Sequence, residues 1–480
     1  MNKIKFLLLL LSLAASISLL AQKVKKEKTP GSEEESGKPS DVLPKLIRGP
    51  YLQSATPTSI LLRWRTDASS RSRVRFGTAK DALSAVADDS SLVTEHQVLL
   101  KGLQPYTRYY YSIGSILDTP LQVGPDNYFY TLPIARSQGI YRIGIFGDCG
   151  NNSINQRNVR DQFLKYIDTS YLNAWILLGD NSYSDGTDAE FQTNFFNIYK
   201  DNLLKKYPLF PAPGNHDYHD IEFSAAVAQK THSVAYYQDF SVPENGEAGG
   251  LPSHTKAFYS YDIGNAHFLS LDSYGKEDNE YRLYDTTGPQ VQWIKKDLEA
   301  LAARDGHPGN AARNKTWVIA YWHHPPYTMG SHSSDKETEL VKIRENFIRI
   351  LERYGVDLIL CGHSHDYERS RLMKGYYGTE ADFDSVKYNL SQSSGRNDGS
   401  PNSQPYVKGP QNTGTVYVVS GSAGKLGGHQ VTFPHNAMYY SDDTHGGASL
   451  LEINGNKLEF KWICADGVVR DHFTMLKNGY

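Results

Sequence analysis

The chain has 480 residues, 39% of them hydrophobic, enough to bury a large core in two or three domains. Lys and Arg number 50 against 53 Asp and Glu, so the net charge of -3 encodes no general attraction to nucleic acid or to an anionic membrane. Three cysteines, Cys149, Cys361 and Cys464, are an odd number and build no disulfide framework.

The chain opens "MNKIKFLLLLLSLAASISLLAQ", where Lys3 and Lys5 precede an apolar stretch ending near Ala21. Residues 1–21 read as a secretory signal peptide, which predicts a secreted or periplasmic protein with no stable membrane insertion after its removal. An uncleaved anchor is the competing reading, but the apolar run is short for a full span. No cysteine follows that could carry a lipid. Residues 22–45 are polar and charged and cannot repay their ordering entropy by burial, so they read as a flexible linker. Residues 46–133 change to short alternating segments, "SILLRWRT", "SRVRFG", "EHQVLLKGL" and "RYYYSIG". Period-2 strands at this spacing predict a small all-β sandwich, similar to a fibronectin type III domain, with Trp64 in its core.

From 140 to 480 apolar strands alternate with helical periods, which predicts an α/β domain. Helices are expected over 159–172, 190–204, 290–304 and 337–354, the last stopped by Gly355. Two long irregular loops, 220–255 and 376–412, are expected to shape a substrate rim.

The strands are informative in how they end. "YRIGIFGDCG" closes on Asp148, "AWILLGDNSY" on Asp180 and Tyr183, "LFPAPGNHD" on Asn215, His216 and Asp217, "WVIAYWHHPPY" on His323 and His324, and "VDLILCGHSHD" on His363 and His365. One such tip means little, since a lone histidine at a strand end is more often a hydrogen-bonded structural residue. Five in order are different, because ligands bind outside the carboxyl ends of strands in open α/β sheets. Asp148, Asp180, Tyr183, Asn215, His323, His363 and His365 offer seven donors, more than one zinc or iron site takes. In an extended segment, His363 and His365 project about 7 Å apart on one side, so each can reach a different ion of a close pair.

In that order, behind a fibronectin-like domain, "GDCG", "GDNSY", "GNHD", the histidine before "HPPY" and "GHSHDYER" resemble the purple acid phosphatases of the metallophosphoesterase superfamily. The resemblance runs from about Arg48 to Lys477 and implies a four-layer α/β/β/α sandwich. It implies that Asp148, Tyr183 and His365 hold one ion, that Asn215, His323 and His363 hold the second, and that Asp180 bridges. A phenol ionises near pH 10, so Tyr183 as phenolate calls for a strong Lewis acid such as Fe(3+), and the neutral oxygen of Asn215 suits a divalent ion, Zn, Mn or Fe. The implied reaction is attack on a phosphate monoester by a metal-bridging or metal-bound hydroxide, with no covalent enzyme intermediate. His216 and His332 match the positions that the family sets around the phosphate, and either is the expected general acid. Asp217 is expected to orient His216, and His324 to support the ligands from behind.

Other features are discounted. "VVSGSAGKLGG" lacks phosphate-loop spacing and is read as backbone passing close to the site. Cys149 and Cys361 read as small buried residues, His267 as a core histidine, and Ser364 as no nucleophile. The expected substrate is a small phosphate ester, without nucleic acid as a scaffold. A phosphodiesterase, nucleotidase or phytase on the same centre is the alternative, and a non-catalytic module binding metal or phosphate is the alternative of another class.

Overall fold

Alternation in "SILLRWRT" turns Ile60, Leu62 and Trp64 inward, and in the computed structural model all three are buried, with Trp64 stacked on His96 at 4.8 Å. The structure describes residues 44–477 except 117–118, 220–224, 278–279, 309–315 and 410. The expected signal peptide, and the linker up to its last two residues, lie outside the described residues.

The N-terminal strands are β1 Leu46–Gln53, β2 Ser59–Gly77, β3 Ala85–Lys101, β4 Arg108–Gly114, β5 Pro120–Gln122 and β6 Tyr128–Tyr130. They form the expected β-sandwich, in which the long β2 pairs antiparallel with β1, β3 and β4. There follow β7 Ile140–Phe146, β8 Ala174–Leu178, β9 Leu209–Ala212, β10 Tyr259–Ile263, β11 Ala266–Ser270, the two-residue hairpin strands β12 Lys276–Glu277 and β13 Glu280–Tyr281, and β14 Trp317–Tyr321. The remainder are β15 Leu358–Cys361, β16 Tyr367–Ser370, β17 Tyr406–Lys408, β18 Val416–Ser420, β19 Met438–Asp442, β20 Gly447–Asn454, β21 Lys457–Cys464 and β22 Val469–Lys477.

Two mixed sheets result. One runs β17-β22-β21-β20-β7-β8-β9 and continues through β1 into the N-terminal strands; the other runs β10-β11-β14-β15-β18-β16-β19. Their facing sides are aromatic: Phe210 of β9 stacks on Tyr261 of β10 at 4.0 Å, and the Tyr259 hydroxyl donates to the Pro211 carbonyl at 2.8 Å. Helices cover the outer sides, Ile154–Ile167 on the first sheet through Val159 and Phe163, and Pro289–Arg304 on the second through Val291, Ile294 and Leu298. That is the α/β/β/α sandwich.

The expected helix over 159–172 begins five residues earlier, because the Ser153 side chain caps it by accepting from the Gln156 amide. Each of the helices spanning 188–199 and 338–353 contains a π turn. Residues 220–255 are not wholly irregular, since helices Ala225–Thr231 and Ala235–Asp239 lie within them, and the Tyr236 hydroxyl donates to the Pro211 carbonyl at 3.0 Å. Likewise, 376–412 holds a short helix, Ser385–Tyr388, and β17. The three cysteines are buried and unpaired. Among the described residues no helix is long and apolar enough to cross a membrane.

Candidate metal centre

The parallel strands β7, β8 and β9 of one sheet and β14 and β15 of the other bring all five predicted tips to one place. The turns after them are tight. Asp148, Asp180 and His363 have φ of 55°, 50° and 68°, a left-handed conformation that costs a non-glycine residue energy and is concentrated at functional sites. Gly179, at φ 93°, stands where a β-carbon would come within 2.6 Å of the His323 ring, so the glycine before Asp180 is what lets the histidine approach. Gly421 of the discounted glycine-rich stretch would similarly put a β-carbon 2.0 Å from the Ser364 carbonyl, as expected of backbone passing close to the site.

Two clusters of donor atoms touch. In the first, the Tyr183 hydroxyl donates to Asp148 Oδ1 at 3.0 Å, and His365 Nε2 lies 3.8 Å from that oxygen. In the second, His323 Nε2 lies 3.3 Å from Asp180 Oδ1 and 3.2 Å from His363 Nδ1. Donor atoms of Asp148, Asp180 and His323 all fall within 4.8 Å of one another, which joins the clusters. Asn215 Oδ1 is buried without a hydrogen-bond partner.

The electrostatics ask for cations. Burial pushes the Asp148 carboxyl well up, whereas at Asp180 the same effect is overcome by the His323 charge, which holds it well below the carboxylate range. At His323 burial acts downward, but Asp180 and Asp148 outweigh it and lift the ring to about 9. Burial raises the Tyr183 phenol well above its ordinary value, and Asp148 and Asp180 add to this, so a phenolate there needs a strong positive charge. Burial lowers His363 to about 3 and, with the charges of His332 and Lys425, His365 to about 4, leaving neutral imidazoles with a lone pair to give. Two buried carboxylates, an orphaned amide oxygen and imidazole nitrogens turned toward them fit a pair of metal ions.

Supporting contacts fix which ring nitrogen faces inward. His323 donates Nδ1–H to the Leu178 carbonyl at 2.9 Å, leaving Nε2 for the centre. His363 Nε2 lies 3.3 Å from Glu337 Oε2, leaving Nδ1. Glu337 also receives His332 Nδ1 at 2.9 Å, and the His332 ring sits 3.7 Å from that of His363. Glu337 carries no sequence signal of its own; five residues after His332, it reads as an ordinary first-turn acid. His324 is buried beside His323 and His363, its Nδ1 2.8 Å from Ser273 Oγ and its ring stacked on Tyr274. His267 is a core histidine held between Asp262 and Asp297.

One expected role is corrected. Asp217 does not orient His216. Its carboxylate accepts from the Asn181 and Gly214 amides and from Asn181 Nδ2, bracing the turns that carry Asp180 and Asn215, while His216 Nδ1 bonds the Ser184 carbonyl at 2.5 Å.

Family models match in two places: calcineurin-like phosphoesterase over 141–367, and purple acid phosphatase, N-terminal domain, over 48–123. Purple acid phosphatase 15 of Arabidopsis thaliana is 30% identical over 364 residues, covering 68% of this chain and 60% of that protein. Acid phosphatase type 7 of Mus musculus is 26% identical, covering 68% of this chain and 71% of that protein. The phosphoenolpyruvate phosphatase of Allium cepa is 24% identical, covering 76% and 66%. The chain thus spans about 60% of the length of the Arabidopsis relative. In fold it is similar to the purple acid phosphatase of yellow lupin seeds, at a TM-score of 0.63 and 18% identity over 91% of this chain and 74% of that one. PhoD is similar at 0.60 and 13%, over 92% of each chain. With both domain models in the order of the motifs, and with strand tips and sandwich in agreement, the chain carries a calcineurin-like phosphoesterase domain behind a purple acid phosphatase N-terminal domain and is similar to purple acid phosphatases.

Proposed function

We propose that the protein is an exported acid phosphatase that hydrolyses small phosphate monoesters at a dinuclear metal centre. The observation that supports this reading is the approach of donor atoms of Asp148, Asp180 and His323 to within 4.8 Å of one another, with Tyr183 and His365 beside Asp148 and His363 beside His323. Asp148, Tyr183 and His365 would hold a ferric ion, Asn215, His323 and His363 a divalent one, and Asp180 both. Bound there, the pair would supply Lewis-acid charge for the phosphoryl oxygens and water acidic enough to attack phosphorus in mild acid.

The chain's own residues do the rest. The Leu178 carbonyl and Glu337 lock the rings of His323 and His363, so ligand geometry is set before substrate arrives. Asp217 stiffens the two turns beneath Asp180 and Asn215. The leaving alkoxide needs a proton, and His216 and His332 each have Nδ1 tied down and Nε2 left to give. We favour His332, because a carboxylate, Glu337, anchors its ring, whereas a neutral carbonyl anchors that of His216. The signal reading of residues 1–21 supports an address outside the cytoplasm. The test is phosphate release from a panel of monoesters and diesters at pH 4–8, before and after chelation. Monoester hydrolysis that is lost on chelation and restored by iron with zinc or manganese is expected; preference for diesters, or turnover indifferent to chelation, would overturn the reading.

A further inference from the structure

Resting on the reading of the centre as a phosphate-ester site, we propose that Lys425 binds a second anionic group on the substrate. The favoured class is then a phosphate monoester that also carries a carboxylate or another phosphate. Lys425 lies in the glycine-rich stretch "SGSAGKLGG", which supplies no metal donor. Its ammonium stands 4.7 Å from the ring centroid of Tyr183, whose hydroxyl touches Asp148. The loop around it is pinned to the metal turns by backbone hydrogen bonds. The Lys425 amide donates to the Asp148 carbonyl at 3.0 Å, Gly427 to the His365 carbonyl at 2.9 Å, and Ala423 to the Gly147 carbonyl at 3.2 Å. From outside, the Gly424 carbonyl accepts from Ser153 Oγ and Asn155 Nδ2, both at 3.1 Å. The lysine is therefore carried at a fixed point beside the centre.

Its charge is not committed to the protein. Lys408 and Lys477 both close on Asp357, and Lys206 closes on Asp126, but among the described residues Lys425 has no carboxylate partner. Half-buried over an aromatic face, it keeps its reach while shedding part of its hydration. A phosphoryl group would engage the metal side of Asp148 and Tyr183, so a cation just beyond that ring is placed for charge carried elsewhere on the molecule. A charge-assisted contact of this kind is worth about one order of magnitude in affinity.

The experiment uses two non-hydrolysable probes on the metal-loaded full chain, ethylphosphonate and phosphonoacetate, which differ by a carboxylate. Calorimetric Kd values are compared for the native protein, Lys425→Met and Lys425→Arg, with metal content measured in each. Native protein should bind phosphonoacetate about tenfold more tightly than ethylphosphonate; Lys425→Met should abolish that ratio and Lys425→Arg should keep most of it. A ratio unchanged in Lys425→Met, or loss of metal from that variant, would overturn the assignment. Hydrolysis of ethyl phosphate by the native chain is scored separately: its absence defeats the phosphatase reading, whereas the phosphonate ratio judges Lys425.

Discussion

Asp180 Oδ1 stands 3.3 Å from His323 Nε2, although Asp180 follows a strand of one sheet and His323 a strand of the other. The centre is a seam between sheets, and Asp180 is placed to reach both donor clusters. Asp180→Ala should therefore lose metal from both positions and drop activity by at least about a hundredfold. Metal analysis of the purified variant checks this; a content still near two ions per chain would remove Asp180 from the bridge.

As a proposed ligand, Tyr183 would separate this centre from colourless ones. A ferric ion bound to phenolate absorbs in the visible through charge transfer, so iron-loaded protein should be pink to purple. Tyr183→Phe keeps the ring against Asp148 and removes the donor. Its visible band should vanish while some hydrolysis survives, and an unaltered spectrum would exclude Tyr183 as a ligand.

Arg48 ties β1 to the calcineurin-like phosphoesterase domain. It is fully buried, reaching Asp239 at 2.5 Å, Asp188 at 2.8 Å and Gln192 at 2.7 Å. Arg48→Met leaves the Asp239 carboxylate buried without that partner, which costs about 3–5 kcal/mol. The urea midpoint should fall accordingly, and Arg48→Lys should recover only part of it, since an ammonium lacks the guanidinium fork. A midpoint unchanged in Arg48→Met would show that the two domains are held by other contacts.

Stability should also depend on His267, away from the candidate metal centre. Burial alone would lower this ring, but Asp297 and Asp262 outweigh it and lift it to about 9, against about 6.5 when unfolded. The charged form is thus favoured by folding. The benefit is fully present below about pH 6.5 and is lost as pH rises to about 9, for a total of about 3 kcal/mol. Denaturation midpoints across that window should fall in native protein and flatten in His267→Gln; parallel curves would refute the charged pair.

Much of this was legible in the sequence for a local reason: an apolar strand, a glycine and a donor are contiguous at Asp148, Asp180 and His363, and His323 directly ends the apolar run "WVIAYW", so these four could be read from the chain alone. What needed long-range information could not. Gln156 is buried in a polar first turn, which hid the start of helix Ile154–Ile167. The two helices between 225 and 239 rest partly on Tyr236 reaching β9, a contact invisible to periodicity. Asp217 adjoins His216 in sequence but points the other way, into the turns at Asn181 and Gly214. Glu337 gains its place only when the loop bearing His332 folds over His363.

Anomalous diffraction from crystals of iron- and zinc-loaded protein would locate each ion of the proposed centre. Two peaks are expected: an iron peak among Asp148, Asp180, Tyr183 and His365, and a zinc peak among Asp180, Asn215, His323 and His363. A single peak, or peaks liganded by other side chains, would contradict that arrangement.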